Sequence, residues 1–170
     1  MEQIIRFILS NFTLTFFVLG LVAAWLALLR EPRPWSRTEI VEALFAWFLL
    51  FSIGLSFLYN FVMHVFFGEM TAAFIDWPDS PFQAEVGYAS LGFAAVGFLA
   101  FRRDDPGLRL AAVLGPALFL WGAAGTHIYQ MVTAGNFAPG NAGVVFWTDV
   151  LVPIIGFALL AADRPPPLRS

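Results

Sequence analysis

Five apolar stretches divide this chain, at about residues 5–29, 40–67, 83–101, 108–133 and 143–162. A helix rises 1.5 Å per residue, so roughly 20 mostly apolar residues cross the hydrocarbon core of a bilayer. Each stretch is long enough, and each predicts a transmembrane helix. The first runs well past the 7–15 apolar residues of a secretion signal and lacks a small-x-small cleavage site. It is expected to stay as a helix.

The polar separators are of two kinds, and they alternate. Residues 30–37, 102–107 and 163–170 are short and rich in arginine, proline or glycine, whereas 68–82 and 134–142 contain no arginine. Positive charge near helix ends resists translocation and collects in the cytoplasm. Arg30, Arg33, Arg37, Arg102, Arg103, Arg109, Arg164 and Arg169 fall on one side, and Arg6 alone on the other. The predicted fold is an all-α integral membrane protein, a bundle of five transmembrane helices with the N-terminus outside and the C-terminus cytoplasmic. With six acids on each side, the inside sums to +2 and the outside to −5.

Local signals sharpen the boundaries. Ser36-Arg-Thr-Glu39 has the form of a capping box. Pro106-Gly107 and Pro165–Pro167 mark helix ends, and Trp35, Trp77 and Trp147 fall near expected membrane interfaces. Pro116 and Pro153 lie inside helices four and five, where a neighbour must satisfy the freed carbonyl. Helices three and four are rich in small residues, among them Gly92 and Gly122, and small residues let helices approach closely in lipid. These two helices are therefore expected at the centre of the bundle, with phenylalanines facing lipid.

Composition narrows the class further. Hydrophobic residues make up 59% of the chain and charged residues 12%, which leaves no room for a soluble domain beside one membrane domain over 1–170. Cysteine is absent, which excludes disulfides, thiol nucleophiles and thiolate metal sites. A net charge of −3 argues against a nucleic-acid partner. The bilayer is the expected partner, and a homo-oligomer or larger membrane complex is compatible with the sequence.

Few ionisable residues lie at membrane depth, and they converge on the outer half. Such residues are costly in lipid, so each is a site candidate. His64 lies near the end of helix two with Asn60 one turn before it. Glu85 opens helix three, with Tyr88 three residues on. His127 and Gln130 share a face of helix four, and Asp149 lies about six residues into helix five. Asn136 and Asn141 come from the intervening loop. His127 and Asp149 are at similar depth on consecutive helices, so they are expected to be neighbours, with Glu85 and Gln130 beside them. The bland readings are a helix-start carboxylate for Glu85, a structural hydrogen bond for His127 and turn chemistry for the asparagines. Asp149 is harder to dismiss, because a buried carboxylate needs a proton or a partner.

Four runs, Phe82-Gln-Ala-Glu-Val-Gly87, Gly122-Ala-Ala-Gly-Thr-His-Ile-Tyr-Gln130, Asn136-Phe-Ala-Pro-Gly-Asn-Ala-Gly143 and Asp149-Val-Leu-Val-Pro153, resemble an uncharacterised family of small bacterial multi-pass membrane proteins that carries a domain-of-unknown-function label. The resemblance covers about residues 82–156. It implies a bacterial inner-membrane protein and supplies no activity.

Three functions compete. An outward-facing pocket among helices two to five could bind a ligand or a proton, since His–carboxylate pairs at partial depth build proton relays. The inner helix halves look apolar, which argues against a complete transport path. Alternatively, the polar cluster could lock a structural or accessory subunit. Thirdly, His127, His64, Glu85 and Asp149 could hold zinc or non-haem iron, although their spacing matches no metal motif. No nucleotide or nucleophile-elbow motif is present, so an enzyme is not the favoured reading.

Overall fold

The computed structural model describes residues 7–163, and every regular element within them is helical. Glu2, Arg6, Arg164, Arg169 and the helix stop expected at Pro165–Pro167 lie outside the described residues. The first long helix, α1, covers Phe12–Leu28, and residues 7–10 before it are also helical. α2 covers Arg37–Phe66 and carries a π-helical segment at Leu49–Leu55. A short helix, α3, follows at Gly68–Ile75 and ends on Asp76 in the left-handed conformation. α4 is Phe82–Arg102, α5 is Pro106–Ala134, α6 is the single turn Pro139–Ala142, and α7 is Val144–Asp163. Four helices are long and apolar enough to cross a membrane: α2, α4, α5 and the unit Pro139–Asp163. α1 is apolar but, at 17 residues, shorter.

The helix starts follow their local chemistry. Ser36 Oγ accepts from the Glu39 amide at 3.2 Å while Glu39 accepts from the Ser36 amide at 2.7 Å, the reciprocal pairing of a capping box. Asp105 Oδ1 caps α5 by accepting from the Leu108 amide, with Pro106 in the first turn, where its missing N–H is not needed.

Helix α2 forms the centre of the bundle. It supplies Phe45, Phe48, Leu49, Ile53 and Phe57 to the buried core and packs against α1, α4 and α7. The expected central pairing of helices three and four is thus corrected: α4 rests mainly on α2, and α5 mainly on α7. The α2–α4 crossing is made at Gly54 and Gly97. A Cβ added at Gly97 would sit 2.7 Å from the Gly54 nitrogen, so the two backbones touch. Gly92 and Gly122, expected at close crossings, both have open space where a side chain would go. Phenylalanine is also not confined to the outside, since Phe57 packs its ring against Phe93 and Phe119 inside the bundle. Aromatic rings fill the volume between helices that are not in backbone contact, and glycine works where they are.

Candidate functional site

Two buried polar centres lie at opposite ends of the bundle. The first is charged. Arg109, in the first turn of α5, is 1% exposed and lies between helices α2 and α7. Its guanidinium grips Glu42 through both oxygens, at 2.6 and 2.7 Å, and reaches Asp163 at 3.0 Å and Asp104 at 3.2 Å. A planar fork against a carboxylate is the strongest ion-pair geometry available. Glu42, Asp104 and Asp163 are the grouping of potential metal ligands found among the described residues. Arginine fills the space between them, so the arrangement is an interhelical clasp.

In the sequence Arg109 is one of the arginines that flank a helix start, and nothing there predicts an interhelical cluster. Its partners lie 67 and 54 residues away, and no local pattern ties them together.

The second centre is built around His127. Asn141, fully buried in α6, donates its side-chain amide to the backbone carbonyls of Asn136 (2.9 Å) and His127 (3.3 Å). That leaves its carbonyl oxygen as an acceptor. The Trp77 indole N–H donates to this oxygen at 3.0 Å, and His127 Nδ1 meets it at 2.7 Å. An amide flip would set the indole donor against an NH2 group, so the network fixes the orientation. His127 therefore carries a proton on Nδ1. In the neutral ring, Nε2 is then a bare acceptor. Nε2 lies 3.6 Å from Asp149 Oδ2, and both side chains are more than nine-tenths buried. Two acceptors face each other, and one proton or cation between them resolves the clash.

The loop that supplies Asn141 is anchored in turn. Asn136 donates to the carbonyls of Ile75 (2.9 Å) and Asp76 (3.1 Å) at the end of α3, and its own oxygen accepts from the Ala138 amide. Gly140 lies against the Phe74 backbone, where a Cβ would come within 2.6 Å. The two asparagines thus act as builders of the site.

His127 and Asp149 open onto a cavity of about 620 Å³. One wall is a stripe of α2 at four-residue spacing: Ser52, Ser56, Asn60 and His64. The facing wall comes from α5 at the same spacing, with Ala123 and His127 beside Gly122 and Thr126; Val145, Thr148, Asp149 and Val152 of α7 complete it. Gly122 thus makes room where close packing was expected. His64 Nδ1 is hydrogen-bonded to Gln83 Oε1. Asn60 donates to Ser90 Oγ at 2.9 Å, which donates to the Val86 carbonyl. Ser52 Oγ, in the π segment, is buried on the cavity wall with no partner among the described residues. Thr126 and Thr148 instead bond the carbonyl four residues back, as helical hydroxyls commonly do.

The remaining sequence candidates fall outside this set. Glu85 and Tyr88 are exposed; Tyr88 packs on Phe61. From the start of α4 it is Phe82, Gln83 and Val86, and not Glu85, that line the cavity. Gln130 is half-buried beyond the cavity, and its backbone carbonyl receives the Asn136 amide. His127, His64, Glu85 and Asp149 are not gathered into one ligand set among the described residues. Ser52 and Trp77 were not singled out from sequence. The four-residue stripe from Ser52 to His64 was the available signal for the first. Nothing local marks Trp77 as more than an interfacial indole.

Fold and geometry together describe a small all-α protein whose apolar helices are compatible with a membrane protein. The chain belongs to a family of unknown function, DUF6790, whose profile matches residues 10–167. It matches no curated protein and no solved structure.

Proposed function

We propose that this chain is a five-helix protein of the bacterial inner membrane that binds a proton and a small ligand in an outward-facing cavity. In this reading α1, extended by residues 7–10, is the fifth span, and the arginine-rich loops hold the N-terminus outside and the C-terminus in the cytoplasm. The Arg109 clasp then lies at the cytoplasmic end and the His127 centre at the outer end. The four-residue wall of α2, with Asn60 and His64, gives the cavity a polar side at membrane depth, where such residues usually have a task.

The observation that carries the reading is the 3.6 Å approach of His127 Nε2 to Asp149 Oδ2 beside the cavity, with Nδ1 held by an Asn141 oxygen that also accepts from Trp77 and so calls for a proton on Nδ1. The pair holds one proton between its two groups, and the cavity connects that proton to the outer aqueous phase.

Proton counting tests this directly. Potentiometric titration of purified protein between pH 5 and 9 should show the wild type binding one more proton per chain than Asp149→Asn. Identical curves would end the proposal. A reporter inserted at Asn136 should be active outside the cytoplasm, and cytoplasmic activity there would refute the five-helix topology.

A further inference from the structure

The cavity is large, mostly apolar, and asymmetric in charge. About 620 Å³ lies within the ~300–1,000 Å³ range of pockets that enclose a drug-sized molecule. Its walls carry the aromatic rings of Phe12, Phe57, Trp77, Phe82 and Phe119, and one carboxylate, Asp149. Among the described residues no arginine lines it, and Arg109 is held in its own clasp. An anion would meet a carboxylate and aromatic faces with no compensating charge. A cation would meet both as partners, since ring faces attract cations and do so more strongly when desolvated.

Access points the same way. Leu118, Gly122 and Thr126 line the cavity and are exposed along one face of α5, and Phe82 is exposed at the start of α4. Leu118 lies 12 residues into α5, about 18 Å from its start at 1.5 Å per residue. The cavity thus has a side opening between α4 and α5 at mid-bundle, where the surroundings are apolar. Pro78 and Ser80 also line the cavity and are exposed, next in sequence to the exposed acids Asp76 and Asp79, which gives a second route. A molecule with an apolar body suits the first route, and a positive charge suits the second.

We infer that the occupant is a lipophilic organic monocation that binds at Asp149 in exchange for the proton shared with His127. This rests on the proton-binding reading of the same pair and names the ligand class. Before binding, one proton sits between His127 Nε2 and Asp149, and the pair is neutral overall. On binding, that proton leaves to the outer water and the organic cation takes its place beside the carboxylate, so the net charge of the site is unchanged. The groups facing the pair are otherwise neutral: Thr13 from α1, Ser52, Ser56 and Asn60 from α2, Gln83 from α4 and Thr126 from α5. Among the described residues His64 is the one further titratable side chain on the wall, held by Gln83. The unspent Ser52 hydroxyl gives the deep end one hydrogen-bonding group for a polar substituent on the occupant.

The test uses tetraphenylphosphonium and tetraphenylborate, which share a shape and differ in sign. Binding to the detergent-solubilised full chain is measured by equilibrium dialysis from pH 6 to 8.5, with proton release followed in weak buffer. Tetraphenylphosphonium should bind in preference to tetraphenylborate and release one proton per molecule bound. Its affinity should rise with pH, by up to about tenfold per unit where the pair is protonated, because one proton competes with one cation. Asp149→Asn should weaken it by about tenfold or more and abolish the pH dependence. Phe119→Trp, which narrows the cavity but keeps the carboxylate, should weaken binding while keeping the pH dependence. If the titration finds the extra proton but tetraphenylphosphonium fails to bind, or binds no better than tetraphenylborate, the ligand class is wrong and the proton site stands. If the extra proton is missing, both readings fall.

Discussion

The two buried polar centres are built from similar parts, yet they leave opposite things unfinished. At the Arg109 end, one guanidinium meets three carboxylates at 2.6–3.2 Å, and the cluster is filled by its own side chains. At the His127 end, asparagine and tryptophan spend all their hydrogen-bonding capacity to hold one imidazole, whose free nitrogen then faces a carboxylate across 3.6 Å beside an open cavity. The first centre joins helices α2, α5 and α7 and is filled by its own groups, with the buried Arg109 Nε left without a partner among the described residues. The second is rigid where it holds the histidine and incomplete where the histidine points. Buried charge by itself therefore does not mark a site. Capacity left over beside an open cavity does.

The largest break in this comparison should come from the clasp. Arg109→Ala strands Glu42 and Asp163. Removing one member of a buried pair costs about 3–5 kcal/mol, and the partial exposure of both acids lowers the expectation to about 2–3 kcal/mol. Thermal unfolding in detergent should show this as a large drop, partly recovered by adding Glu42→Gln. A neutral outcome for Arg109→Ala would mean that the cluster joins nothing. Packing gives the next effect. Gly97→Leu must push apart backbones that already touch at Gly54, and overpacking of this kind costs about 1–3 kcal/mol or more. Gly122→Leu grows into the cavity, so its stability should stay within about 1 kcal/mol of wild type while ligand capacity falls. Equal losses in the two variants would contradict the assignment of one glycine to a crossing and the other to a cavity wall.

The smallest effect concerns the histidine itself. His127→Ala leaves Asp149 without its partner and removes one of the two donors to the Asn141 oxygen, and should cost about 1–2 kcal/mol. The double variant with Asp149→Asn should recover part of that loss, since groups in contact couple by about 0.5–3 kcal/mol. Additive losses would show that the two side chains do not interact.

How much of this was legible beforehand follows from which interactions are local. The apolar stretches, the capping box at Ser36 and the adjacency of His127 and Asp149 depend on spacing along one or two consecutive helices, and the sequence carries such spacing openly. The Arg109 clasp depends on residues from three helices meeting at one end. With its place near a helix start, Arg109 looked like any other arginine flanking a span. Small residues misled for a physical reason: glycine permits a close crossing and equally permits a void, and only the neighbouring helix decides between them. Gly97 found Gly54, while Gly122 found the cavity. Glu85 was placed by depth alone, and depth says nothing about azimuth when a helix leans on an unexpected partner.

The tautomer of His127 tests the account most directly. The chain has two histidines, so nitrogen-15 NMR of histidine-labelled protein, with His64→Gln for assignment, reads each ring separately. The expected spectrum shows His127 protonated on Nδ1 throughout, with the Nε2 signal titrating and shifting in Asp149→Asn. A neutral His127 protonated on Nε2 would place a donor against Asp149 and a bare nitrogen against Asn141, and would contradict the hydrogen-bond network on which the proton site rests.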